Sequence, residues 1–86
     1  MKIKVYADPG HAWARVPFAL LYKLGIQDKI TPYSYMRGAY AYLEEDCDLS
    51  TLISALQAQG IKFSFDESHT NKRSKIRSYL SYRIGA

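Results

Sequence analysis

The amino-acid sequence predicts an α+β domain of order βαββαβ, the split βαβ or ferredoxin-like arrangement, in which an antiparallel sheet carries two helices on one face. Three patterns point there. Apolar and polar residues alternate around Ile3 and Val5 and again from Ile61 to Phe65. Leu49, Leu52, Ile53 and Leu56 have the i, i+3, i+4, i+7 spacing of a helix stripe. Tyrosines on either side of Arg37-Gly38 read as a hairpin.

Taken in order, Ile3 and Val5 among Lys2, Lys4 and Tyr6 form the first strand, which ends at the Asp8-Pro9-Gly10 turn. Trp13, in the connection that follows, closes one end of the core, and His11 hydrogen-bonds the loop. Pro17 suits the first position of a short helix built on Leu20, Leu21 and Leu24, and Gly25 is its natural C′ residue. If Arg37-Gly38 is a two-residue turn, Tyr35 faces Tyr40 and Tyr33 faces Tyr42, so all four rings share one face, opposite Ser34, Met36, Ala39, Ala41 and Leu43. Asp48 caps the second helix, which Gly60 ends. Ile61, Phe63 and Phe65 give the last strand. Thr70 or Asn71 would cap the final element, where helix (Ile76, Tyr79, Leu80, Ile84) and strand (Ile76, Leu80, Tyr82, Ile84) patterns tie; the reading taken is a short helix.

Eighty-six residues of 48% hydrophobic and 23% charged composition make one folded domain, residues 1–86, of which 69–86 is a basic C-terminal extension. A chain this short buries only about 60 to 65% of the surface it exposes unfolded, which favours a binding surface over a deep catalytic cavity. No apolar run approaches the roughly 20 residues that span a bilayer, and the start lacks a signal-peptide core. With a single cysteine, Cys47, no internal disulfide forms, and a cytoplasmic protein is expected. The net charge of +4 is unevenly placed: residues 1–68 balance to −1, whereas 69–86 hold Lys72, Arg73, Lys75, Arg77 and Arg83 without an acid. Such a run attracts phosphate or acidic protein surfaces, and it also solubilises.

With the apolar strand residues turned toward the helices, the other sheet face is expected to be open and to present Lys2, Lys4, Tyr6, Tyr33, Tyr35, Tyr40, Tyr42, Lys62 and Ser64, with Arg37 at the hairpin turn. Aromatic rings among cations suit single-stranded nucleic acid, because each base offers a π-face and each phosphate a charge. The same surface suits a protein partner or a homodimer, and cross-strand tyrosine pairs also stabilise a sheet with no ligand at all. Enzymatic chemistry is not expected. The acids around Cys47 raise its thiol pKa, opposing a nucleophile. Asp46, Asp48 and Ser50 start like a calcium loop, but Thr51 and Gln57 stand at its required Gly and Glu. His11, His69 and Cys47 lack metal-ligand spacing, so no metal or other cofactor is expected.

Arg37-Gly38-Ala39-Tyr40-Ala41-Tyr42-Leu43 loosely resembles the strand signature of RNA-recognition motifs, with one extra residue, Ala39, and with Lys4 where that family places an aromatic in its first strand. A second resemblance covers most of the chain. Asp8-Pro9-Gly10-His11-Ala12-Trp13, Val16-Pro17, Leu24-Gly25-Ile26, Tyr33 to Gly38 and Glu44 to Asp48 are together similar to small proteins of phages and mobile elements. That resemblance implies no activity, but it does imply a host or defence protein as partner, held or occluded through the tyrosine face and the basic tail. The positive charge excludes a DNA mimic. The sequence therefore reads as a small non-enzymatic binding protein in the (host) cytoplasm, the alternative being a single-stranded nucleic-acid binder using the same face.

Overall fold

The computed structural model describes residues 1–84, so the last two residues of the expected 69–86 extension lie outside it. Six strands, β1 (Lys2–Ala7), β2 (Ala12–Pro17), β3 (Tyr35–Arg37), β4 (Tyr40–Glu44), β5 (Ser64–His69) and β6 (Leu80–Ser81), form one mixed sheet in the order β5-β1-β2-β4-β3-β6. Two helices, α1 (Phe18–Leu24) and α2 (Leu49–Ala58), and a 3₁₀ turn at Lys75–Ser78 complete it. The class is α+β, as expected, but a mixed six-stranded sheet replaces the four-stranded antiparallel βαββαβ plan.

The difference begins at β2, which the sequence reading leaves as a connection. Ala12, Ala14 and Val16 alternate inward against α1 and α2 while Trp13 and Arg15 point to the other face. Because Trp13 is itself buried there, the strand is apolar on both sides and its period-2 signal is lost. Pro17 is therefore the last strand residue and the N-cap of α1 rather than its first helical position. At the other end of α1 the expected Gly25 stop holds: Gly25 N–H donates to Tyr22 O and Ile26 N–H to Leu21 O, a Schellman closure.

The hairpin turn is Gly38-Ala39, not Arg37-Gly38. Gly38 has φ of +59° and no non-glycine residue among those described has positive φ, which suits the II′ turn with Gly first and excludes a turn that would need Arg37 there. Moving the turn by one residue moves each partner by two, so Tyr35 faces Tyr42 and Arg37 faces Tyr40. Tyr35, Tyr40 and Tyr42 consequently stay on one face despite the changed register. Tyr33 does not join them: it precedes β3 and is exposed. The last long strand starts later than expected, at Ser64, and pairs parallel to β1, leaving Lys62 in the preceding loop, where its carbonyl accepts from the Met1 amino group.

One core lies between the sheet and the helices. Ile3, Val5, Val16, Ala41 and Leu43 meet Leu21, Leu24, Leu52 and Leu56 there, so the α2 stripe packs as its spacing predicts. A second, smaller core lies on the opposite face, where Trp13, Tyr42 and Ile76 are buried with Tyr6, Tyr35 and Tyr79 against them. The chain leaves β5 at one sheet edge and re-enters as β6 at the other, so residues 70–79 cross the sheet as a strap. The middle of the face expected to be open is therefore covered, while Lys2, Arg37 and Tyr40 on it stay exposed. The tie after Ile76 resolves into a 3₁₀ turn capped by Ser74, whose hydroxyl accepts from Ile76 N–H, and then a two-residue strand; neither Thr70 nor Asn71 is its cap.

Candidate functional site

The strand register gathers most of the residues singled out by sequence. Lys4 lies opposite Arg15, Tyr6 opposite Trp13, Arg15 opposite Tyr42, and Tyr42 opposite Tyr35, which puts Lys2, Lys4, Tyr6, Trp13, Arg15, Tyr35, Arg37, Tyr40 and Tyr42 on the strap side of the sheet. Lys72, Arg73, Lys75 and Arg77 belong to the strap itself. Tyr33 and Lys62 fall outside this group.

The rings are not a free stacking platform. Ile76 and Tyr79 pack on Trp13 and Tyr42, with Tyr42 and Tyr79 ring centroids 5.1 Å apart. The Arg15 guanidinium lies 4.6 Å from the Tyr40 ring centroid and 5.9 Å from that of Tyr6, and Arg37 lies 5.0 Å from that of Tyr79. The π-faces a base would use are thus taken by the protein's own cations and by the strap. Burial pushes the Tyr42 phenol above its ordinary pKa.

Arg77, expected as a ligand-binding cation of the tail, is instead the clasp of the strap. Its Nε and Nη2 donate to the two Asp8 carboxylate oxygens at 2.7 and 2.9 Å, and its guanidinium sits 5.3 Å from the Trp13 ring centroid. Asp8 also accepts from the N–H groups of Gly10, His11 and Ser74, and only 1% of its side chain is exposed. Gly10 makes room for this: a Cβ there would stand 2.9 Å from Arg77 Nη2. The Arg77 guanidinium, and after it the Ser74 N–H, holds the Asp8 carboxyl far below the usual carboxylate range.

Since Asp8 binds its proton more weakly folded than unfolded, the stability that the clasp contributes is fully present above about pH 4 and declines progressively as pH falls from there toward the much lower folded-state pKa. Acidification should therefore release the strap, seen as a red shift of the emission of Trp13, the only tryptophan. That transition should be missing in Asp8→Asn, whose strap is already loosened at neutral pH. An unchanged Trp13 signal down to pH values where the far-ultraviolet dichroism is lost would contradict this role.

The remaining carboxylates on this face are also engaged. Asp66 pairs with Lys4 at 2.9 Å, which lowers the Asp66 pKa and raises that of Lys4; both are near half exposed, so the pair adds little to stability. His11 Nδ1 stands 3.1 Å from Glu44 Oε1, which accepts from it in the tautomer that carries the proton on Nδ1. By contrast Lys2, Arg15, Arg37, Lys72, Arg73 and Lys75 form no ion pair with any described residue.

Two concave regions border the strapped face. One, of about 490 Å³, is lined by Phe18, Tyr22, Met36, Gly38, Leu80 and Ile84 together with Arg37 and Arg83. Tyr22, Leu80 and Ile84 are exposed there, and of its residues the sequence reading placed only Arg37 and, through the basic run, Arg83 on a contact surface. The other, of about 260 Å³, is lined by His11, Trp13, Tyr33, Tyr35, Glu44, Asp46, Cys47 and Arg77. In it the acids around Cys47 act on its thiol as expected: the adjacent Glu44 carboxylate first, then burial and the other neighbouring acids, push its pKa up to about 11. His69 is exposed at the end of β5 and takes no part.

Comparison of this chain with protein-family models, curated proteins and solved structures returns no match. Among the described residues no helix is long and apolar enough to cross a membrane.

Proposed function

We propose that this is a small non-enzymatic binding protein that docks a protein partner at the groove between α1 and the β3–β6 edge, with the cations of the strapped face meeting an acidic rim on that partner. The observation that carries the reading is the groove itself: exposed Tyr22, Leu80 and Ile84 flanked by Arg37 and Arg83. Apolar anchors bordered by arginine are the composition of protein-binding hot spots. Arg37 joins this groove to the unpaired cations Arg15, Lys72, Arg73 and Lys75, which would steer an acidic surface toward it. Similarity of the Asp8–Trp13 and Tyr33–Gly38 segments to small phage and mobile-element proteins favours a host or defence protein as that partner, met in the host cytoplasm.

Single-stranded nucleic acid fits less well. Its phosphates would still meet cations, but of the rings that could contribute about 1–3 kcal/mol per base by stacking, Tyr42 is buried, Tyr6 and Tyr35 are packed in the second core, Tyr40 carries Arg15, and the exposed Tyr33 stands apart from them. The test is a pull-down from the natural host, run with and without nuclease, followed by affinity measurements with the purified partner. A nuclease-resistant complex should be weakened about thirtyfold or more by Leu80→Asp, as expected for a hot spot of about 2 kcal/mol or more. The triple change Lys72→Glu, Arg73→Glu, Lys75→Glu should mainly slow association and reduce its salt dependence. Recovery abolished by nuclease, or affinity untouched by Leu80→Asp, would overturn the reading.

A further inference from the structure

The smaller concavity holds a constellation that sequence spacing hides. His11 Nδ1, a Glu44 carboxylate oxygen and an Asp46 carboxylate oxygen all lie within 4.8 Å of one another, although the histidine precedes the two acids by more than thirty residues. The fold brings them together in two ways. Glu44 is the last residue of β4 and stands opposite Trp13 of β2, next to the loop that carries His11. His11 is fixed in that loop by its N–H bond to Asp8 and by Asp8 N–H donating to the His11 carbonyl at 2.9 Å.

A second observation distinguishes this group from an ordinary surface cluster. Glu44 is 6% exposed, and its Oε2 is buried with no hydrogen-bond partner among the described residues. Trp13 Nε1, lining the same concavity, is likewise buried and unpartnered. A buried ionised oxygen left without a partner is costly, and a native fold meets it with a ligand or an ordered water. Arg77 lines the concavity but is already neutralised by Asp8, so Glu44 and Asp46 leave the local charge negative.

The geometry points to a divalent transition-metal site of zinc type, with His11 Nδ1, Glu44 and Asp46 as protein ligands and solvent in the remaining position. The donor set is the reason for the class: imidazole nitrogen suits zinc and its neighbours, and two carboxylates complete a neutral site for a dication. Ligand bonds of about 2.0–2.1 Å in a tetrahedron place neighbouring donors about 3.3 Å apart. His11 Nδ1 and Glu44 Oε1 already stand at 3.1 Å, so a cation replaces the proton they share. Asp46 is exposed in the turn after β4, where its side chain can close the remaining gap by rotation. Trp13 Nε1, unpartnered on the wall of the same concavity, is a donor available to solvent held there. This site stands apart from the docking groove and does not depend on it.

Trp13 provides the readout, because its ring centroid is 6.1 Å from that of His11 and it is the only tryptophan. The full chain, treated with a chelator and then dialysed, is titrated with Co²⁺ while Trp13 fluorescence is followed, and Zn²⁺ is then added in competition. Saturable one-to-one quenching, reversed by Zn²⁺ and weakened about tenfold or more by His11→Ala and by Asp46→Asn, is the expected result. His69→Ala should leave it unchanged. Both ligand changes are at exposed residues, so folding is retained, and dichroism checks this. In addition, Zn²⁺ in large excess over its dissociation constant should raise the melting temperature by about 5 °C or more. Non-saturable quenching, quenching equal in His11→Ala, or loss of binding with His69→Ala would overturn the site and leave Trp13 and Glu44 bridged by water alone.

Discussion

Trp13→Ala should destabilise the protein by about 3–5 kcal/mol, the range for removing a fully buried large aromatic. A domain of this length has about 4–13 kcal/mol of stability in total, so the variant would be at or near the limit of folding. The loss has a specific shape. Trp13 is the floor of the second core: Tyr35 meets its edge at 6.2 Å between centroids, Arg77 lies over it, and Ile76 is buried beside it. Removing the indole takes the packing surface from the strap while leaving the helix-side core of Leu21, Leu43, Leu52 and Leu56 in place. Two measurements separate these effects. Urea unfolding should give a lower midpoint, and limited trypsin digestion should cut rapidly after Lys72 or Arg73 in the variant but not in the parent chain. The milder Ile76→Val, which deletes one methylene at the strap side of the same core, should cost about 0.5–1.5 kcal/mol. A Trp13→Ala protein with parental midpoint and parental trypsin resistance would mean that the strap is held elsewhere.

The strap also shows which parts of this fold a sequence can disclose. The α2 stripe was legible because its partners all lie on one side, so burial follows a single period. The shared face of Tyr35, Tyr40 and Tyr42 was legible even with the turn misplaced, since alternation depends on parity and a two-residue change of register preserves it. β2 was not legible, because a strand buried on both faces loses its alternation, and the burial of Trp13 depends on Ile76, more than sixty residues later. Arg77 read as a free cation for the same reason. Its partner Asp8 sits in a turn sequence that explains itself locally, and nothing near either residue announces a bond across 69 positions. His11 and Glu44 are likewise joined only by the β2–β4 pairing, so the cluster with Asp46 had no spacing to display. Leu80 read only as one residue of the helix-or-strand tie and Tyr22 carried no signal at all, since a groove between distant elements has no linear signature.

Asp48→Ala is the second change expected to be severe, at about 3 kcal/mol or more, for a reason opposite to that of Trp13. Asp48 occupies the N-cap position of α2, as its sequence context predicts, yet its side chain makes no capping bond. It turns instead into the 31–34 loop, where it accepts from Thr31 N–H at 3.0 Å, from Thr31 Oγ1 at 2.8 Å and from Ser34 Oγ. Ser34 Oγ in turn accepts from Glu44 N–H at 2.9 Å, and the Ser34 carbonyl accepts from Tyr82 N–H at 2.8 Å. One fully buried carboxylate therefore ties the start of α2 to the loop before β3, to β4 and to the segment after β6. Alanine would leave the buried Ser34 hydroxyl and two part-buried Thr31 donors without an acceptor, at about 1–3 kcal/mol for a fully buried one, which together exceeds what a lost cap alone would cost. Asp48→Asn keeps one acceptor oxygen and should lose less than alanine. The ordering of the two variants, read from urea midpoints at unchanged slope, is decisive: a capping role would make Asn nearly neutral and Ala cost about 1 kcal/mol, and a charge role would make the two variants lose alike. Losses of that small size would show that water satisfies Thr31 and Ser34 in place of Asp48.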